Sequence, residues 1–289
     1  MTTTAQAFTA LMELLEPTDS QRTSTIPGRQ ARVVQNLNAV FSSTCDMPFW
    51  KAELIGSASK GTIIRPLDDI DVLAVFSDTG GAYNKYRYDS RKFLYRIREA
   101  YNDVIAQQVG ARGQAVRIFF ETGGHVDVAP VFWAGDDDYL LPAGDGSWIR
   151  TSPLKANEWF AERNSELAYQ LRPVVRLLKA WNRAHSSRFK SFHLETMAAS
   201  TFTGIGSNHR DALAKFFGWA QTRLSVTDPG GHSGDLSSYL GWPNRSEAIA
   251  ALKSAETRAL AAVAAEARGD HSEAKRLWRI VLGDDFPTT

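Results

Sequence analysis

Cysteine is nearly absent: Cys45 is the single one in 289 residues. No intramolecular disulfide and no cysteine-rich zinc site can form, so a reducing cytoplasm is the expected setting. Cys45 itself reads as a small hydrophobe. Long apolar runs are also missing. Nowhere do about 18 apolar residues follow one another, and the start, MTTTAQAFTALMELLEP, has no basic leader. A membrane-spanning or exported protein is therefore not expected, and a soluble intracellular one is. Charge of one sign is lacking as well: 33 Lys and Arg face 32 Asp and Glu, for a net charge of +1. That balance supplies no overall drive onto nucleic acid or an anionic membrane, so any basic site must be local. No internal repeat is visible.

What is present suffices for a large core or two modest ones, since 43% of the residues are hydrophobic. Phe8, Leu11, Met12, Leu14 and Leu15 fall at helical spacing up to Pro17, and a second helix is expected after Pro27. From Glu53 to Val131 the pattern changes to short β-branched runs, Glu53–Ile55, Asp69–Phe76, Val116–Glu121 and His125–Val131, with one amphipathic helix over Ser90–Gln107. A mixed sheet with helices on one side follows, because that helix is long enough to carry a crossover. Beyond Pro153 strand signals vanish. Asn157–Ala184, Phe192–Ser200, Arg210–Leu224 and Ser246–Leu282 read as helices, whereas Ala134–Pro153 and Ser225–Gly241 read as loops. The expected class is α+β, with a sheet-bearing lobe over residues 1–153, a helical lobe over 154–289 and a cleft between them.

The chemistry concentrates in GSASKGTIIRPLDDIDVLAVF, residues 56–76. Residues two apart on a strand share a face, so Asp69 and Asp71 project together while Ile70 and Val72 enter the core. Two carboxylates this close repel unless a cation or a proton intervenes, and hard oxygen ligands suit Mg²⁺ or Mn²⁺. GGHVDVAPVF, residues 123–132, supplies a third carboxylate, Asp127. Three aspartates on adjacent strands can hold two ions. One would lower the pKa of an attacking hydroxyl and the other neutralise a leaving pyrophosphate, and Asp127 can also accept the hydroxyl proton. Gly56 allows close approach of backbone to phosphate, and Ser57 adds a hydroxyl at the expected start of a short helix. Lys60, three residues on, reads as a solvated lysine.

At these residues the chain resembles the DNA polymerase beta-like nucleotidyltransferase superfamily: an apolar residue, Gly-Ser, a spacer, Asp-x-Asp and a later strand aspartate. Within it the sequence is most similar to the bacterial CD-NTases, relatives of cyclic GMP-AMP synthase and oligoadenylate synthase that make cyclic nucleotide messengers in antiphage defence. DYLLPAGDGSWIRTSP (138–153), LRPVVRLLKAWNR (171–183), FKSFHLE (189–195) and the terminal GDHSEAKRLWRIVLGDDFP carry the narrower likeness. The resemblance implies that Lys179 and Ser191 contact a triphosphate, that Lys190 sits beside them, and that Phe192 lies against a base. Physical chemistry agrees, because a serine at a helix start offers donors to an anion and an aromatic face stacks on any base. Trp181 and Glu195 read as packing and helix-structuring residues, His185 and His193 as surface or satisfied ones, and Asp228-Pro229-Gly230 as a common turn. Tyr83–Tyr88 reads as a loop before a helix. No zinc insertion like that of the animal DNA-sensing relative is available, so nucleic acid is not an expected requirement.

The expected activity is the joining of NTPs, ATP among them, into a cyclic di- or trinucleotide, with a regulatory protein as a possible partner. Alternative acceptors are an RNA 3′ end, an antibiotic hydroxyl or a protein side chain, and near-neutral charge weighs against RNA. An inactive nucleotide-binding scaffold is a different reading, which three mutually repelling aspartates argue against.

Overall fold

The computed structural model describes residues 2–67, 69–101 and 109–288. The first helix, α1 (Thr4–Leu15), starts on a capping box in which Thr3 and Gln6 satisfy each other's backbone N–H groups, and it stops before Pro17. After a π-helical turn, Gln21–Thr25, α2 (Ile26–Val40) begins with Pro27 in its first turn, where a missing N–H costs nothing.

Seven strands form one mixed sheet: β1 (Phe49–Ile55), β2 (Asp69–Phe76), β3 (Val109–Arg112), β4 (Ala115–Phe119), β5 (His125–Gly135), β6 (Asp138–Pro142) and β7 (Trp148–Thr151). The order is β1-β2-β5-β4-β3, with β6 continuing from β5 and β7 from β6. Only β2 and β5 pair in parallel among the paired strands, and their register sets Asp71 beside Asp127 and Ile70 beside Val126. Between the strands lie the short helices α3 (Gly56–Lys60) and α4 (Ala82–Tyr86) and the longer α5 (Ser90–Glu99). Ile70, Val72, Ala74 and Phe76 pack with α2 and α5 through Val33, Leu37, Phe93 and Ile97. The opposite face, bearing Leu73 and Val75 with Val131 and Tyr139, is a smaller apolar cluster. Strand alternation therefore puts Asp69 and Asp71 on the face away from α2 and α5.

After the sheet come α6 (Pro153–Glu166), α7 (Leu171–Ala184), α8 (Ser191–Thr201), α9 (His209–Ala220), α10 (Asn244–Ala267) and α11 (His271–Leu282). Their shared core also contains Ala7, Phe8, Leu11 and Leu15, so α1 packs with the helices although it precedes the sheet in sequence.

The α+β class holds, and several local expectations need correction. Ala134–Pro153 is not a loop but the end of β5 and the β6–β7 hairpin. Four of the five β6 residues are buried, so no polar alternation marks it, and its Gly and Asp residues serve the tight turn at Gly135, Asp136 and Asp137, all with positive φ. Asn157–Ala184 is two helices, parted where Ala168 and Tyr169 take φ of 51° and 62° without a glycine or proline to announce it. Ser246–Leu282 likewise breaks at Gly269. Tyr83–Tyr86 belongs to α4. The expected helix from Ser90 runs to Glu99, and its continuation over 102–107 lies outside the described residues. Ser225–Gly241 is irregular apart from one bridge between Thr227 and Asp235.

Candidate active site

At the end of β1 the chain turns at Gly56, whose φ is +66°, straight into α3. A Cβ at this position would lie 2.0 Å from Asp71 Oδ2, so the turn rests on the carboxylate and only glycine fits. The short helix is fastened at its other end from the helical part of the molecule: Arg172 Nε donates to the Lys60 carbonyl at 2.8 Å and Arg176 Nη2 to that of Gly61 at 2.8 Å. These bonds occupy carbonyls that have no partner within the helix.

Asp69 is exposed at the start of β2, and Asp71 is half-buried two residues on. Burial, then the charges of Asp69 and Asp127, push the Asp71 carboxyl up to about 7, against the pull of Lys60 and Lys179. Carboxylates gathered so that burial and mutual repulsion raise one of them form a hard-oxygen donor set that suits a divalent cation. It is not a ready-made cage, since among the described residues no three His, Cys, Asp or Glu side chains gather around one point. Asp127 is engaged with another partner. Arg117, its cross-strand neighbour on β4, takes both carboxylate oxygens, Nε to Oδ1 at 2.7 Å and Nη2 to Oδ2 at 2.5 Å, with His125 Nε2 3.8 Å from Oδ2.

A cleft of about 510 Å³ opens over these residues, walled by Gly56, Ser57, Asp69, Asp71, Arg117, Lys179, Ser191 and Phe192 among others. A second cavity of about 260 Å³ shares Gly56, Lys60, Asp71 and Phe192 with it and adds Ser152, Asn157, Asp228 and Ser233. Of the nine residues expected at the site, seven thus stand on the cleft wall. Asp127 is not on it, and its partner Arg117 is. Lys190 is turned to the 225–241 segment, its Nζ 4.7 Å from the Tyr239 ring centre and its backbone N–H donating to the Tyr239 hydroxyl.

Lys60 is not the solvated lysine expected from sequence. It is 5% exposed, and its Nζ lies 2.5 Å from Glu195 Oε2 and 4.8 Å from the Phe192 ring centre. Glu195, fully buried, also binds Lys179 at 2.6 Å and the Thr62 hydroxyl at 2.6 Å. Burial would raise the Glu195 carboxyl, but the charges and hydrogen bonds of Lys179 and Lys60 override it and hold it at about 2. Two lysines and one glutamate leave one excess positive charge among the three, with Asp71 in its field. The sequence holds one clue: Lys60 follows Ser57 by a single helical turn, so both face the same side of α3. Glu195 does more than structure a helix, since it joins α8 to α3. Trp181 is core and His193 is satisfied, as expected, the latter by the Leu224 carbonyl at 2.7 Å and Tyr239 Oη at 3.0 Å.

A mixed sheet carrying an Asp-x-Asp strand beside a third aspartate, with a Gly-Ser turn against the second carboxylate and a basic cleft above, is the framework of a nucleotidyltransferase. The model of the Second Messenger Oligonucleotide or Dinucleotide Synthetase domain matches residues 1–164, more than half of the chain. The protein belongs to that family, the bacterial CD-NTases. It is 27% identical over 270 residues to a probable cyclic nucleotide synthase of Bacillus cereus, covering 81% of each chain. It is 32% identical over 202 residues to a cyclic AMP-AMP-AMP synthase of Escherichia coli, covering 66% of this chain and 63% of that one. Among solved structures, CdnC of Escherichia coli in its HORMA-deltaN complex superposes with a TM-score of 0.81 over 98% of both chains at 23% identity, which speaks for the fold. No described helix is long and apolar enough to cross a membrane.

Proposed function

We propose that the protein condenses NTPs, ATP among them, into a cyclic di- or trinucleotide, releasing pyrophosphate at each bond, as a messenger in bacterial antiphage signalling. One observation carries this reading: two cavities meet at Gly56, Asp71 and Phe192, so two nucleotides can be held on either side of one reacting point. In each step a ribose hydroxyl oxygen attacks an α-phosphorus, the P–O bond to pyrophosphate breaks, and the hydroxyl proton passes to Asp127 or to water. The sheet-bearing lobe over 1–153 and the helical lobe over 154–289 would form the two walls, with α1 packed on the second.

Asp69, Asp71 and Asp127 would hold Mg²⁺ or Mn²⁺, two ions, whose chemistry is to neutralise phosphate charge and acidify the attacking hydroxyl. The chain's own groups position the substrate. Gly56 and Ser57 would meet the triphosphate with Ser191 and Lys179, Lys190 would act from the rim, and Phe192 would lie against a base. Positioning and charge neutralisation then supply most of the rate. The HORMA complex of CdnC supports a regulatory protein as partner.

The test is incubation with four labelled NTPs and Mg²⁺ or Mn²⁺, then phosphatase. A resistant product is expected from the wild type and none from Asp69→Asn, Asp71→Asn, which should fold normally because a repulsion has been removed. Extension of a labelled RNA by the wild type would replace this reading with a tailing activity. Neither product, with nucleotide binding that survives both substitutions, would mark a scaffold.

A further inference from the structure

Asp127 is the only one of the three aspartates that does not reach the cleft wall, and Arg117 stands on the wall in its place. The register explains the choice open to it. On β5, Asp127 lies directly beside Asp71 of parallel β2 on one flank and Arg117 of antiparallel β4 on the other, and neighbouring strands run about 4.8 Å apart. A carboxylate between two such neighbours can turn to either. Here it turns to the guanidinium, in the two-pronged geometry that arginine offers and lysine cannot. The pair is only partly buried, Arg117 being 23% and Asp127 18% exposed, so water and ions reach it and opening it leaves no charge stranded in a core. Arg117 shares the cleft wall with Ser57, Lys179 and Ser191, and a guanidinium freed there faces the position where an anionic nucleotide is read to bind.

We propose that Arg117 is a clasp on Asp127. In the resting protein it competes with a divalent cation for both carboxylate oxygens, and on release it becomes a ligand for nucleotide phosphate. The proposal rests on the assignment of Asp69, Asp71 and Asp127 as cation ligands. It makes Arg117 a positioning residue while the clasp is shut and a phosphate-binding one when it is open.

The decisive measurement is Mn²⁺ affinity without nucleotide, by titration of the free-ion EPR signal, in wild type, Arg117→Lys and Arg117→Gln. Both variants should bind Mn²⁺ roughly tenfold more tightly than wild type, the lysine variant included, because a point charge cannot occupy both oxygens. At saturating Mn²⁺, Arg117→Gln should bind a non-hydrolysable ATP analogue several-fold more weakly. Equal Mn²⁺ affinity in wild type and Arg117→Lys overturns the clasp. A gain confined to Arg117→Gln does so too, since it reduces the effect to distant charge. Unchanged analogue affinity removes the phosphate-binding half. If wild type binds no Mn²⁺ even with the analogue, the carboxylate assignment falls and the clasp with it, whereas binding that disappears in Asp69→Asn, Asp71→Asn but is indifferent to Arg117 refutes the clasp alone. Should the variants fail to fold, the Arg117 Nε–H resonance of the wild type decides: it should shift when Mn²⁺ is replaced by diamagnetic Mg²⁺ and titrated, and a resonance blind to Mg²⁺ overturns the proposal.

Discussion

A methyl group on residue 56 has nowhere to go: Asp71 Oδ2 would be 2.0 Å away and Asp71 Cγ 2.9 Å, and the backbone is already in the left-handed region at φ +66°. Gly56→Ala must displace the carboxylate or the turn by about 1 Å, and misplacements of that size cost on the order of 100-fold in rate. We expect at least that loss in product formation, with a fall in unfolding free energy of only about 1–2 kcal/mol. A rate within a few-fold of wild type would separate the turn from the chemistry. Glu195 behaves differently, because it holds two buried ammonium groups. Glu195→Gln should destabilise the protein by about 3–5 kcal/mol in urea unfolding. Its folded carboxyl titrates at about 2, below the ordinary 4.5, so its contribution is complete above pH 4.5 and is lost as pH falls towards 2. Wild-type stability should therefore decline through that window by about 3 kcal/mol more than that of Glu195→Gln. Parallel pH curves would sink the assignment. The aspartates could be read from spacing because strand periodicity alone fixes which side chains share a face. Arg117 and Glu195 could not, since each meets its partner through a register or a helix contact that no local pattern encodes.

Among the elements, the segment over 225–241 shows how an irregular stretch is made specific. The Asp228 carboxylate accepts from the backbone N–H groups of Gly230 at 2.8 Å, His232 at 3.3 Å and Ser233 at 2.9 Å, which satisfies a turn with no ladder of its own. His232 Nε2 then lies 3.2 Å from Asp138 Oδ1 on β6, and Asp228, Gly230 and Ser233 line the second cavity. His232→Ala should loosen that wall. A rise of about fivefold in KM for nucleotide, equivalent to about 1 kcal/mol, with little change in kcat and faster proteolysis within 225–241, is the expected result. An unaltered KM would show that the contact only decorates the surface. Strands β1, β2, β4 and β5 could be placed from their β-branched and apolar runs, and most helices from apolar residues at helical spacing. The β6–β7 hairpin escaped because β6, DYLLP, has neither a β-branched residue nor polar alternation, and the α6–α7 break escaped because Ala168 and Tyr169 adopt positive φ without a residue that favours it.

At the scale of the whole molecule, the helical core is closed by the first helix. Phe8 meets the rings of Trp278 and Phe286 edge-on at 5.0 and 5.1 Å, Thr4 N donates to His271 Nδ1 at 3.3 Å, and Lys275 Nζ reaches Thr2 Oγ1 at 3.0 Å. Removing the ring in Phe8→Ala should cost about 3–5 kcal/mol. Hydrogen exchange should show lost protection in α7 and α11 before β2 and β5 are affected. Uniform loss across the sheet and the helices would mean that the two cores unfold as one unit. The change from strand to helix near residue 153 could be read from periodicity, but α1 could not be assigned to the helical core, because an apolar stripe does not say which core it faces.

That meeting of α1 with α11 also sets the order in which the helical core can assemble. A ribosome delivers residues 4–15 well before residues 271–282, and the core that they share cannot close until both are out. A chain cut short between β7 and α11 would carry all three aspartates yet lack the Trp278 and Phe286 rings against which Phe8 packs.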